Sequence, residues 1–475
     1  MTAITERLAA HAAGLDAAAL PAPVRQRAAE MLLDLWGIMA RAQLDADTTA
    51  CFRATLADLG LDAGSASVVA EEAGFSPYGA ALFNGALAHS LDFDDTHAAG
   101  SIHPGATVIP AALAAAEIAG ADGRTLIAAI VAGYDVVCRL SVALGPSRHY
   151  ARGFHPTATC GVFGAAAAAG RALGLSPERM AAAFGLAASR AAGSLQFLEN
   201  GAWNKRWQVG AAAADGLSVA LAARNGFHAA AAPLEGRFGF FKGYTDGAEP
   251  DEAVADLGSR FSIMETAVKP YPACRYTHAA LDGILALRAE HGIAAGDVEA
   301  IEIGLPQTGV ELTGVPADAK RRPRSVVDGQ FSMPFVASMG LLADGLAWDD
   351  YARYLGKPEV DALCDRVTVA ADPRAEAFYP RQMSATVAIT TAAGRVETVV
   401  EVPSGEPERF PDAEAQRRKF TGLTEPLLGA AGAAALADAL LAVETLAGVD
   451  RLFALSVPAA ADGAQRMAAA GGAGA

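Results

Sequence analysis

Aromatic side chains are scarce in this chain, 7% of 475 residues, whereas 52% are hydrophobic and alanine is very abundant. That shortage argues against a sheet-rich protein and for closely packed helices with small residues at their contacts. Positive charge is scarce as well: 37 Lys and Arg stand against 53 Asp and Glu, a formal net charge of −16. Such a balance argues against nucleic acid and membrane surfaces as partners. An acidic protein that binds an anionic metabolite must then gather its few cations in one pocket. The cysteines (Cys51, Cys138, Cys160, Cys274 and Cys364) are far apart and form no C-x-x-C pair. A disulfide framework, a zinc ribbon and a cysteine-held iron–sulfur cluster are thereby disfavoured. The start MTAITERLAAHAAGL lacks a basic segment followed by an apolar run, and TLIAAIVAGYDVV is too short and interrupted to span a bilayer. A cytoplasmic, reduced protein is expected.

What the chain does contain is organised in two patterns. Residues 1–264 read as successive helices, and at this length more than one domain is expected. PAPVRQRAAEMLLDLWGIMARA carries a stripe at Val24, Ala28, Leu32, Leu35 and Met39, and SPERMAAAFGLAAS opens on the start signal Ser176-Pro177. After GSRFSIMETAVKPYPACRYTH the pattern changes. A helix in HAALDGILALRAEHG precedes a β-like run, VEAIEIGLP, and a further helix is expected near 330–345. DRVTVAAD and two alternating runs around Ala393-Gly394 predict more strands. The expected fold is therefore mainly α: a large all-helical domain with an inserted smaller α+β domain over 265–404. Residues 405–458 return to the helical domain, and 459–475 form a disordered tail.

The stretch AHSLDFDDTHAAGSIHPGATVIP, residues 88–110, concentrates ionisable groups between apolar flanks. On helical spacing His89, Asp92 and Thr96 fall on one side (i, i+3, i+7), with Asp95 close to Asp92. His103 precedes Pro104, so it is held extended just before a helical start. There it faces free backbone N–H groups, an anion site that also suits a neutral imidazole base. The device recurs at His155-Pro156, ahead of a small-residue helix. NKRWQVGAAAADG places Lys205 and Arg206 before a buried helix, and AVKPYPACRYTH adds Lys269, Arg275 and His278. Singly, each cation reads as a solvated surface group. Together they form the positive cluster that a carboxylate ligand requires.

HSLDFDDTH with HPGATVIPA, GFHPTATCGVFGAAAAAGRALGL, NKRWQVGAAAADGL and KPYPACRYTHAALD, in that order, resemble the 2-methylcitrate dehydratase family (MmgE/PrpD). The resemblance covers the chain to about residue 450. Cis-aconitate decarboxylases and iminodisuccinate epimerases are further members of that family. The resemblance implies an all-helical domain with an α+β lid, a homodimer, and no metal or organic cofactor. It also implies a small polycarboxylate substrate and proton transfer next to a carboxylate. Of the family's pocket residues, the aspartate and threonine match Asp92 and Thr96, the two histidines His103 and His155, and the two lysines Lys205 and Lys269. His103 and His155 are then the acid/base candidates, with Asp92 orienting an imidazole. Lys205, Lys269 and Arg275 clamp carboxylates, and Thr96 donates a hydrogen bond. Cys274, at a helix start beside an arginine, has two readings: a thiol of lowered pKa at the substrate and the commoner buried, inert cysteine. The decarboxylase branch carries histidine at the position of Cys274 and tyrosine at that of Phe335. Dehydration of the 2-methylcitrate type is the leading expectation, with epimerisation and decarboxylation as alternatives.

Two other classes compete. A metal hydrolase could use Asp92, Asp94, Asp95, His97 and His103 as ligands, and DFDDTH faintly resembles the aspartate-rich motif of prenyl-diphosphate enzymes. Both want further acidic ligands on a second helix, and no matching motif is present. A non-catalytic helical scaffold explains the alanine-rich bundle but not two His-Pro helix starts with two lysine motifs.

Overall fold

The computed structural model describes residues 3–199 and 201–458. The expected disordered tail over 459–475 lies outside them. The described residues divide into two compact units, one formed by those up to 266 and from 413 to 458, the other by 267–412.

The first unit is helical apart from a two-stranded pairing of Ala66–Ser67 with Gly74–Phe75. The largely buried helix Gly123–Leu144 is capped by Asp122, whose carboxylate accepts from Thr125 N–H at 2.8 Å. That helix is apolar enough to cross a bilayer by composition, but 94% of its apolar window is buried inside the unit, as in a core helix. Small residues let the surrounding helices approach closely. A Cβ on Gly85, in the helix Pro77–Ala88, would stand 2.8 Å from Gly210 Cα in the helix Asn204–Arg224. A Cβ on Gly161, which opens the helix Gly161–Ala172, would stand 2.7 Å from Thr107 in the helix Gly105–Ala119. The abundance of alanine and glycine is thus what brings four functional segments together, since larger side chains would hold their helices apart.

Two boundaries differ from expectation. The helix Pro77–Ala88 stops at His89, its C-cap, so His89, Asp92 and Thr96 do not share a helical face. The segment after it turns through Asp92 and Ser101, both left-handed (φ of 50° and 51°). After His155-Pro156 the helix runs only from Pro156 to Thr159, and the longer one begins at Gly161.

The second unit holds a four-stranded mixed sheet. Val298–Leu305 pairs in parallel with Val367–Ala371 and antiparallel with Ala385–Thr391, which pairs antiparallel with Gly394–Val400. The expected helices appear at His278–His291 and Met333–Leu342 and bury Leu281, Ile284, Phe335 and Met339 with the sheet residues Ile301 and Val387. Gly283 permits the close approach: a Cβ there would meet Val387 at 2.9 Å. The parallel crossover between Val298–Leu305 and Val367–Ala371 carries several short helices that sequence periodicity does not reveal. From Ala413 the chain is helical again to Leu441, in two helical stretches that meet at the non-helical Gly429 (φ 69°).

Candidate active site

The first unit gathers three histidines around one buried carboxylate. His89 Nδ1 stands 2.7 Å from Asp94 Oδ2, and His103 Nδ1 stands 3.3 Å from the same oxygen. The His89 and His103 rings meet edge to face with centroids 4.8 Å apart, and the His155 ring lies 6.2 Å from His89. Backbone geometry couples the two His-Pro segments, because His103 N–H donates to the Thr157 hydroxyl at 3.2 Å. Lys205 lies in the first turn of Asn204–Arg224 rather than ahead of the helix, and its Nζ donates to Asp92 Oδ1 at 2.8 Å.

Burial grades across this group. The side chains of His89 and Asp94 are fully enclosed, whereas those of His103, Asp92 and Lys205 are 17%, 17% and 26% exposed. The cluster therefore opens to solvent along His103, Asp92 and Lys205. Thr96 is half-buried in the same segment.

Electrostatics follow from this gradation. Burial pushes His89 down to about 4 against the opposing pull of Asp94, so the ring is neutral at physiological pH. A carboxylate only accepts, so His89 Nδ1 carries the proton and its buried Nε2 holds a lone pair, with no partner among the described residues. Burial works to raise Asp94, but His89 and His103 hold it well below the carboxylate range. Burial works to lower Lys205, and the charges of Asp92 and Asp94 outweigh it, leaving a firm cation. His155 is lowered well below the usual histidine value, first by burial and then by His89 and Lys205.

These distances revise two expectations. Asp92, expected to orient an imidazole, pairs with Lys205, while Asp94, expected only as a metal ligand of the rival reading, carries the imidazole contacts. The left-handed backbone at Asp92 accounts for the exchange, since it aims successive carboxylates in different directions. Asp95 is structural: it accepts from Tyr134 Oη at 2.6 Å and from Gly105 N–H at 3.1 Å, tying the start of the helix after His103. Burial pushes its carboxyl up to about 8, with Asp94 and Asp34 adding to the effect. Lys419 anchors the loop between them, donating to the Phe93 carbonyl at 3.2 Å and pairing with Asp34 at 2.6 Å.

The metal set considered from sequence is dispersed. Asp92 is turned to Lys205, Asp95 to Tyr134, and His97 accepts from Gly100 N–H at 3.0 Å with its other nitrogen 3.7 Å from Glu265. A different trio, His89, Asp94 and His103, offers three ligand atoms within 4.8 Å of one another. His89 had been singled out by its spacing but given no role, and Gln208 was missing from the candidate residues. Gln208 sits one turn after Lys205 and contacts His155, a spacing (i, i+3) that marks a shared helix face.

In the second unit Lys269 is buried. Cys274, also buried, caps the short helix Arg275–Thr277. Arg275 is engaged inside that unit: Nη2 and Nε lie 2.5 and 3.0 Å from Glu406 Oε1, and Nη1 reaches His278 Nδ1 at 2.8 Å and the Ser404 carbonyl at 2.9 Å. Arg275, expected to clamp a substrate carboxylate, thus has Glu406 as its carboxylate partner inside that unit. Phe335 is buried and stacks on Tyr351, with ring centroids 5.6 Å apart.

Comparison with known proteins adds a second line. Models of the MmgE/PrpD N-terminal domain and the MmgE/PrpD C-terminal domain match residues 6–253 and 271–445. Cis-aconitate decarboxylase of Aspergillus terreus is 29% identical over 326 residues, covering 64% of this chain and 66% of that protein. Cis-aconitate decarboxylase of Homo sapiens is 29% identical over 311 residues, 62% of each chain. The cis-aconitate decarboxylase-like protein oryM of Aspergillus oryzae is 26% identical over 414 residues, 82% of this chain and 85% of its own. The chain spans just under two thirds of the length of the Aspergillus terreus relative, at 66%.

Proposed function

We propose that this chain, which belongs to the MmgE/PrpD family, is a lyase that moves a proton next to a carboxylate of a small di- or tricarboxylic acid. The reading includes a homodimer and needs no metal or organic cofactor. The observation that carries it is the buried His89–Asp94 pair behind His103, with the cation Lys205 at the open edge of the same cluster.

In this reading Lys205 leaves Asp92 to hold a substrate carboxylate, a charge-assisted contact of a kind contributing about 1.5–3 kcal/mol. His103, standing beside the anionic Asp94, exchanges the proton at the reacting carbon. Asp94 balances the charge that His103 gains when it holds that proton. Loss of CO2 from the acid leaves an electron pair on carbon, which a proton from His103 quenches. Removal of a proton by the same ring instead places the electron pair in the carboxylate, from where it expels hydroxide, released as water after protonation. Thr96, Lys269 and Cys274 keep the substrate-binding roles implied by the family resemblance.

Cis-aconitate decarboxylation is supported by the names of the relatives. Dehydration of the 2-methylcitrate type is the second reading. It is favoured by Cys274 and Phe335 standing where the decarboxylase branch carries histidine and tyrosine. The test is incubation of purified protein with cis-aconitate, 2-methylcitrate, citrate and iminodisuccinate, with products identified by NMR, with and without a chelator. One acid is expected to be consumed at a rate the chelator does not change. Turnover abolished by the chelator and restored by a divalent ion would transfer the site to the metal reading, on His89, Asp94 and His103.

A further inference from the structure

The two His-Pro histidines face partners of opposite hydrogen-bonding character. Gln208 has an amide pinned by one backbone residue: Oε1 accepts from Ser194 N–H at 2.9 Å, and Nε2 lies 3.3 Å from the Ser194 carbonyl. Turning the amide over would set oxygen against carbonyl and nitrogen against N–H, so its orientation is determined. Gln208 Nε2 then stands 2.8 Å from His155 Nδ1. An amide nitrogen only donates, so Nδ1 must accept, and the proton of the ring sits on Nε2.

We propose that Gln208 is a positioning residue that holds His155 as the neutral Nε2–H tautomer. His155 then serves the reaction as a fixed hydrogen-bond donor to a carboxylate oxygen gaining charge, and not as the proton carrier. This rests on the lyase reading above. A proton on Nδ1 would face the amide N–H of Gln208, losing one hydrogen bond and opposing two donors. Burial of His155 and the nearby charge of Lys205 disfavour a further positive charge on the ring and outweigh the opposing pull of Asp94. The ring is also held from behind. His155 N–H donates to the Gly193 carbonyl at 3.1 Å, and Phe154 pairs with Ser194, so backbone, amide and imidazole form one fixed unit. His103 differs on each point, with a carboxylate beside it and part of its side chain exposed. A neutral imidazole held as an electrophile is a known solution for stabilising an enediolate-like charge.

Two measurements test the assignment. In protein labelled with 15N-histidine, two-bond proton–nitrogen spectra identify the tautomer, and the His155 signals are those lost in His155→Gln. The expected result is an Nε2–H tautomer that does not titrate between about pH 5 and 8, a range in which an ordinary histidine changes charge. An Nδ1–H tautomer, or a midpoint in that range, would overturn the proposal. In Gln208→Glu the new carboxylate accepts a proton from Nδ1, and the same signals are expected to show Nδ1–H or an imidazolium. The second measurement is kinetic. Gln208→Glu is expected to lower kcat by about 10–100-fold and shift its pH profile, with KM changed less than about threefold. An unchanged profile would also overturn the proposal. The spectra need no substrate, so they report on the tautomer even if the polycarboxylate reading fails.

Discussion

His103 and His155 begin as the same dipeptide, each followed by proline and each feeding a helix, and the fold gives them opposite surroundings. His103 stands 3.3 Å from a buried carboxylate, whereas His155 is 2.8 Å from an amide nitrogen, which can only donate. A ring backed by Asp94 gains a proton without leaving an unpaired positive charge. A ring backed by Gln208 does not. The motif therefore brings two imidazoles to one place, and the residues behind them decide what each does.

The comparison can be broken most severely at Asp94. Asp94→Asn removes the charge shared by His89 and His103, and kcat is expected to fall about 10²–10⁴-fold, the range for positioned acid–base groups. A fall of less than tenfold would show that Asp94 is only structural. Lys205→Met is expected to raise KM and cut kcat/KM by about 10–100-fold, the equivalent of one charge-assisted contact. A change in kcat alone would place Lys205 at the reacting bond instead.

A second contrast separates Lys205, partly open, from Arg275, whose donors are engaged inside the second unit. Arg275→Met leaves Glu406 buried and unpaired, a change expected to destabilise by about 3–5 kcal/mol, visible in Tm while kcat/KM at low temperature stays within about threefold. A rise in KM with Tm unchanged would restore Arg275 as a carboxylate clamp.

A last contrast concerns Asp95, whose carboxyl is raised to about 8. Between its unfolded value near 4 and that folded value, the folded state holds a proton that the unfolded state has lost. Its contribution to stability is therefore present below about pH 4 and is lost as pH rises toward 8. Asp95→Asn is expected to flatten the decline of Tm between about pH 5 and 8. An unchanged slope would show that Asp95 is ionised in the fold.

Much of this arrangement was legible in the residues themselves. The 3.6-residue stripes and the alternating runs anticipated most helices and all four strands of the second unit's sheet, but of the pairings only the one around Ala393-Gly394, since each pattern follows from which face is buried and not from which strand lies beside it. The two His-Pro steps and Lys205 were legible because chemistry-bearing residues stood out against alanine. The exchange of roles between Asp92 and Asp94 was not, because it depends on the helix ending at Ala88 and on the left-handed turn at Asp92. Nor was the fate of Arg275, whose partner Glu406 lies 131 residues away. Gln208 was within reach, three residues after Lys205, but an amide among charges draws little notice.

The most direct test of the division between the two histidines is deuterium exchange into the reacting carbon, followed by NMR in deuterated water with the acid that wild type consumes. His103→Gln is expected to lose exchange by more than about 10³-fold, because an amide cannot carry a proton, whereas His155→Gln, which restores a neutral donor, keeps it within about 10–100-fold of wild type. Equal losses in the two variants, or a greater loss at His155, would contradict the account.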